Sequence, residues 1–171
     1  MNARRKRLMQ YLLEAEGPVT GSELSRRLGV SRQVVVADVA LLRAEGEQVV
    51  ATPSGYILVE ATNGHRTPTA QLAVCHDPAD TGRELFALID AGVRIVDVTV
   101  EHPLYGDLHG NLLMETREDV ASFLARVERD EISLLSKLTG GIHLHRVEFD
   151  RMSQLRRARE ALRRLGFLIE T

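Results

Sequence analysis

The stretch ATNGHRTPTA, residues 61–70, constrains the fold of this chain more than any other feature. It is polar, holds a glycine and a proline, and shows neither helical nor strand periodicity, so it reads as a linker. Placing the linker at 61–69 leaves one unit at 1–60 and a second at 70–171, and 171 residues suffice for two small domains. Aliphatic and aromatic residues make up 44% and charged residues 27%, which excludes a disordered chain or a fibrous repeat. No stretch approaches the ~20 apolar residues that span a bilayer, so no membrane role is expected. The amino terminus starts basic but turns amphipathic within one helical turn and has no small-residue cleavage site, unlike a secretory signal. One cysteine, Cys75, permits no internal disulfide and fits a reducing cytoplasm.

The first unit reads as three helices and a hairpin. Leu8, Tyr11, Leu12 and Ala15 form one stripe of a helix from Ala3 to Ala15, which Gly17-Pro18 ends. Thr20-Gly-Ser-Glu23 is a capping-box pattern, with Thr20 capping and Glu23 reaching back, and it opens a short helix from Ser22 to Leu28. Gly29-Val30 turns the chain, Ser31 caps a third helix running to about Glu45, and Gly46 closes it. QVVATPSGYILVE then gives two β-branched runs around Thr-Pro-Ser-Gly, a hairpin. This is the layout of a winged helix-turn-helix. If Val35, Val39 and Leu42 face the core, the opposite face holds Gln33, Val36, Ala37 and Ala40, where a solvated helix would carry Lys and Glu. A surface of small and apolar side chains with one amide suits a DNA major groove. Ser31, Arg32 and Arg43 flank it and are candidates for phosphate contacts, with Gln33, Val36 and Ala37 toward the bases.

Net charge over the whole chain is −2. Residues 1–60 carry 8 basic and 7 acidic side chains and residues 61–171 carry 14 and 17, so the first unit is slightly positive and the second negative. Arg4, Arg5, Lys6 and Arg7 form a basic cluster that can meet phosphates but also suits a solvated tail.

The second unit alternates strands and helices, the pattern of an α/β sandwich. Strands are expected at 70–77, 93–102, 108–115 and 142–149, and a last one at Phe167–Glu170. Helices are expected from Asp80 or Thr81 to Ala91, from Arg117 to Arg129 with a continuation through Leu138, and from an Asp150 cap to Leu165. The predicted fold class is therefore α/β (α+β), a winged helix-turn-helix followed by an α/β sandwich.

His143-Leu144-His145 is the sharpest chemical signal. Alternation along a strand puts both imidazoles on one face, about 7 Å apart at Cα, where two ligands can converge on one metal. His76 ends a strand and Glu84 opens the helix after it, so both can come near one place. Three imidazoles and a carboxylate suit Zn, Ni, Co or Fe and disfavour Mg or Ca. Cys75 points away from His76 and reads as a buried small hydrophobe. His65 falls in the linker and His109 in a loop, while His102, beside Pro103, either lines a pocket or caps a strand. There is no P-loop, no G-x-G-x-x-G, no G-x-S-x-G and no Cys-x-x-Cys, so no covalent nucleophile is indicated.

The winged helix-turn-helix, the order of His76, Glu84 and LTGGIHLHRVEF, and the segment VTVEHPLYGDL together resemble the niacin-responsive transcription repressors with a 3H domain. The resemblance covers nearly the whole chain and is most specific in its carboxyl-terminal half. It implies a cytoplasmic, homodimeric repressor that binds operator DNA with nicotinic acid or a related pyridine as co-repressor. It also implies a transition metal (Ni, Zn or Fe) held by His76, Glu84, His143 and His145, with the pyridine on the metal or beside it near His102 and Tyr105. Two other classes stay open on the residues alone. One is a metal-sensing regulator that needs no organic ligand. The other is a small metallohydrolase, for which spacing nominates no general base beyond Glu84.

Overall fold

The computed structural model describes residues 2–59 and 67–170. The expected linker at 61–69, and His65 with it, lies largely outside the described residues. The chain divides into two compact units, Met1–Gly64 and His65–Thr171.

In the first unit, helices α1 (Ala3–Glu14), α2 (Gly21–Leu28) and α3 (Arg32–Ala44) precede strands β1 (Val49–Thr52) and β2 (Gly55–Leu58). Local chemistry sets each boundary. Thr20 accepts from the Glu23 amide and Ser31 from the Val34 amide, satisfying donors that a helix start leaves open. The expected second half of the Thr20 box is absent, because the Glu23 carboxylate pairs with Arg26 and Arg27 instead. Gly29 and Gly46 both adopt left-handed φ and close Schellman-type ends, with Val30 N–H bonding Ser25 O and Glu47 N–H bonding Leu42 O. The β1–β2 hairpin is tied to Val19, whose N–H and C=O exchange bonds with Tyr56. Gly55 makes this possible: a Cβ there would lie 2.5 Å from Val19 O. The core is Leu8, Leu12, Leu24, Val35, Val39 and Leu42 with Met9, Val19 and Val49.

The second unit holds β3 (Thr69–Cys75), α4 (Thr81–Asp90), β4 (Arg94–His102), β5 (Gly106–Met114), α5 (Arg117–Arg129), β6 (Ile142–Glu148) and α6 (Met152–Leu165). The sheet order is β3-β6-β4-β5, with every neighbouring pair antiparallel. One core packs Leu72, Val74, Ile95 and Val147 of the strands on Leu85, Leu88, Val120, Leu155 and Leu162 of the helices. Because β6 inserts between β3 and β4, its inward residues lie beside the carboxyl end of β3. The site is built there.

Five further expectations need correction. His109 does not lie in a loop: it stands in β5 opposite Thr99, whose hydroxyl meets His109 Nδ1 at 2.7 Å. Helix α5 does not continue through Leu138. It ends at Arg129, Glu131 takes a left-handed φ of 49°, Ile132 N–H bonds Val127 O, and a separate 3-10 turn follows at Leu135–Thr139. A glutamate in a position that favours glycine leaves no stop signal to read. Asp150 does not cap α6. Its carboxylate pairs with Arg94, while Gln154 Oε1 accepts from the Asp150 and Arg151 amides. Phe167–Glu170 makes one bridge, Val74 to Leu168, rather than a full strand. Cys75 is exposed, because Leu72, Val74 and His76 take the inward positions and leave it on the outer face of the sheet.

Candidate functional site

His76, Glu84, His143 and His145 come together in the second unit, and all four are buried. Each arrives by a separate route. His76 follows β3, Glu84 stands in the first turn of α4, and His143 and His145 are alternate inward residues of β6. His76 Nε2 lies 2.6 Å from Glu84 Oε2, and His143 Nε2 lies 3.3 Å from the same oxygen. His145 Nε2 is 3.2 Å from Oε1, yet Oε1 has no hydrogen bond of adequate geometry although it is buried. One donor atom each from His76, Glu84 and His143 lie within 4.8 Å of one another.

The other ring nitrogens decide the chemistry. His76 Nδ1 meets Asp77 O at 2.7 Å, His143 Nδ1 meets Gly141 O at 2.8 Å, and His145 Nδ1 meets Asp97 O at 3.0 Å. A carbonyl oxygen only accepts, so each Nδ1 carries the proton and each Nε2 turns toward Glu84. If the rings are neutral, three lone pairs face a carboxylate and repel it. Either the imidazoles take up protons or a cation sits among them. Burial pushes the Glu84 carboxyl up, but the charge of His145 and the hydrogen bonds of His143 and His76 outweigh it and hold the group well below the usual carboxylate range. For His76 and His145 burial likewise works against charge, and Glu84 overrides it and raises both rings. The carbonyl-to-Nδ1 bonds are the arrangement that orients histidines toward metals. With a buried Glu84 oxygen that lacks a hydrogen bond, the donor set fits a transition metal.

A cavity of about 40 Å³ adjoins the cluster, bounded by Thr81, Val98, Phe123, Leu134, Leu135 and Ser136 together with Glu84, His143 and His145. Phe167 packs against the His76 ring at 4.8 Å between centroids. Sequence reasoning missed Thr81, Ser136, Phe123 and Phe167, which carry no motif. His102 and Tyr105 do not join this site. They stack at the β4–β5 turn, where His102 Nδ1 accepts from the Leu104 and Tyr105 amides.

In the first unit, Arg32, Gln33, Val36, Ala37 and Ala40 are exposed, and Val36 and Leu41 are 42% and 49% exposed. The Ser31 hydroxyl caps α3, and Arg43 Nε donates to Val49 O at 2.7 Å, so both are partly engaged within the unit. Arg4 and Arg5 of the basic cluster are paired with Asp38 and Glu45. Sequence reasoning missed Asp38, a buried carboxylate in the inward stripe of α3.

Comparison with known proteins places the chain. A 3H domain model matches residues 69–171, and a helix-turn-helix domain model matches residues 4–57. The chain is 36% identical over 168 residues to the transcription repressor NadR of Bacillus subtilis (strain 168), covering 98% of this chain and 93% of that protein. It is 39% identical over 167 residues to the probable transcription repressor NiaR of Thermotoga maritima, covering 98% and 94%. The chain belongs to the 3H-domain transcription repressors. It is a DNA-binding regulator of that type and not an enzyme, which sets the metallohydrolase reading aside. The expected order, helix-turn-helix first and 3H domain second, is the order found in this repressor. No helix among its described residues is long and apolar enough to cross a membrane.

Proposed function

We propose that this repressor binds operator DNA as a homodimer through α3, under control of a transition metal and a pyridine carboxylate, nicotinic acid, in the second unit. The relatives' names, which describe transcription repressors, support the DNA-binding part. The exposed face of Gln33, Val36 and Ala37, flanked by Arg32, supports α3 as the element that enters the major groove. Acting on chromosomal DNA puts the protein in the cytoplasm.

The observation that carries the metal is the cluster of three Nε2 atoms around a buried carboxylate, each ring fixed through Nδ1 by a backbone carbonyl. His76, Glu84, His143 and His145 would hold the ion. Nickel, zinc and iron match these donors. Bound, the ion supplies a fixed positive charge in place of protons and a coordination position open to an anionic ligand. The chain's own part is to aim four donors and to line the adjoining cavity with Ser136 and with Thr81, whose hydroxyl donates to Pro78 O. At about 40 Å³ the cavity holds a water or two. Seating an aromatic ring therefore requires part of that lining to move.

The small cavity also favours a second reading, in which metal occupancy alone changes DNA affinity. One experiment separates the two: anisotropy of a labelled duplex, selected by the full chain from a randomised pool, with metal and nicotinic acid added singly and together. Affinity that rises only when both are present supports the proposal. A full response to metal alone establishes the sensor. No response to either removes both.

A further inference from the structure

Two ion pairs of the first unit have no part in the reading above. Asp38 is 2% exposed, in the inward stripe of α3 between Val35 and Leu42. Arg4 of α1 meets it with two parallel bonds, Nε to Oδ2 at 2.6 Å and Nη2 to Oδ1 at 2.9 Å. The adjacent Arg5 pairs with Glu45, the residue that ends α3. Consecutive arginines thus hold α3 at points seven residues apart, about two helical turns. The apolar contacts of Val35, Val39 and Leu42 hold α3 down but are non-directional. A bidentate fork fixes direction as well as distance. Asp38 is next in sequence to Ala37, so rotation about the helix axis that releases the carboxylate turns the exposed face of Gln33, Val36 and Ala37 with it.

We propose that Arg4 and Asp38, seconded by Arg5 and Glu45, are positioning residues for DNA recognition, setting the rotation of α3 rather than contacting DNA. This rests on the reading of α3 as the DNA-contacting helix. It assigns Arg4, part of a basic cluster that would otherwise be given to phosphates, to a partner within the unit.

Charge alone and positioning predict opposite signs. Asp38→Asn removes a negative charge from a DNA-binding unit, which by charge alone tightens binding to every duplex. The clamp predicts that preference for a selected duplex over a mixed-sequence duplex of equal length falls at least about tenfold, the scale of one lost base contact. The slope of log affinity against log salt stays unchanged. Arg4→Lys keeps the charge without the fork and gives the same loss, whereas a phosphate-contacting arginine would tolerate lysine. Glu45→Gln acts at a partly exposed pair whose loss leaves the unit folded, and lowers preference by about twofold. Thermal unfolding of each variant is followed in parallel, and Glu45→Gln remains decisive if Asp38→Asn unfolds. Unchanged or raised preference in Asp38→Asn and Glu45→Gln overturns the clamp. Gln33→Ala serves as the separate control: if it leaves preference unchanged, α3 is not the reading helix and the clamp falls with it.

Discussion

Among the described residues, the most deeply buried carboxylate of each unit is compensated in a different way. Asp38 in α3 is 2% exposed and Glu84 in α4 is 0% exposed. Asp38 has one partner of permanent charge, the Arg4 guanidinium, in a closed bidentate bond. Glu84 has three partners whose charge depends on protons, and one of its oxygens lacks a hydrogen bond. Removing a carboxylate from water is costly wherever it occurs. A permanent partner makes the first site a structural lock with one state. Titratable partners leave the second open to at least two states, protonated or, on the proposed function, metal-loaded. That difference separates a scaffold site from the proposed sensor site.

The largest effects expected are those that cross the two sites. His145→Ala should lower Zn²⁺ or Ni²⁺ affinity by more than about 100-fold, since roughly 10–16 kcal/mol of structural metal binding is shared among four ligands. It should leave unfolding of the first unit unchanged. Arg4→Ala should destabilise the first unit, because it leaves the buried Asp38 carboxylate without its guanidinium partner, and leave metal affinity unchanged. Titration calorimetry and thermal unfolding read both. Metal affinity that falls in Arg4→Ala, or survives in His145→Ala, breaks the comparison.

A smaller effect sharpens it. Gly141 O accepts from both the His76 amide, at 3.4 Å, and His143 Nδ1, at 2.8 Å, so one backbone carbonyl orients two of the proposed ligands. A Cβ on Gly141 would lie 2.3 Å from His76 O, and the residue has a φ of 98°. Gly141→Ala should displace that carbonyl and weaken metal binding by about 10–100-fold, as loss of an orienting partner does. Gly140→Ala, strained in φ but with open space around it, is the control and should lose far less. Equal losses in the two variants would mean that backbone strain, not ligand orientation, sets the effect.

What the sequence disclosed follows the same division. Caps at Thr20 and Ser31, the glycine closures at Gly29 and Gly46, and the inward alternation of His143 and His145 depend on neighbours along the chain. They were legible for that reason. The convergence of His76 and Glu84 was legible because a strand end and the following helix start lie close in any such unit. Arg4 and Asp38 are 34 residues apart, and nothing local marks either, so the lock was invisible. Gly46 announced the end of α3, whereas Glu131 in the same conformation concealed the end of α5. Cys75 and Phe167–Glu170 went astray because strand exposure depends on which face the helices cover, and that is set by the whole sheet.

The finest contrast is in pH. Without metal, His76 and His145 are held above the ordinary imidazole value near ~6.5. Their stabilisation is therefore complete below that value and is lost as pH rises through the raised folded values. Glu84 is held well below the ordinary carboxylate value near ~4.3, so its contribution is present above that value and lost only as pH falls through the lowered one. The metal-free second unit should be most stable at about pH 5–6 and weaken toward about pH 8, by at most about 1.4 kcal/mol per pH unit for each proton. Metal reverses the slope, because it needs unprotonated Nε2 atoms and binds more tightly as pH rises over that range. Thermal unfolding of the full chain across this range, with excess EDTA and with excess Zn²⁺, should give curves that diverge as pH rises. Parallel curves would mean that the three imidazoles do not exchange protons for metal, and Glu84 would then be a second structural lock like Asp38.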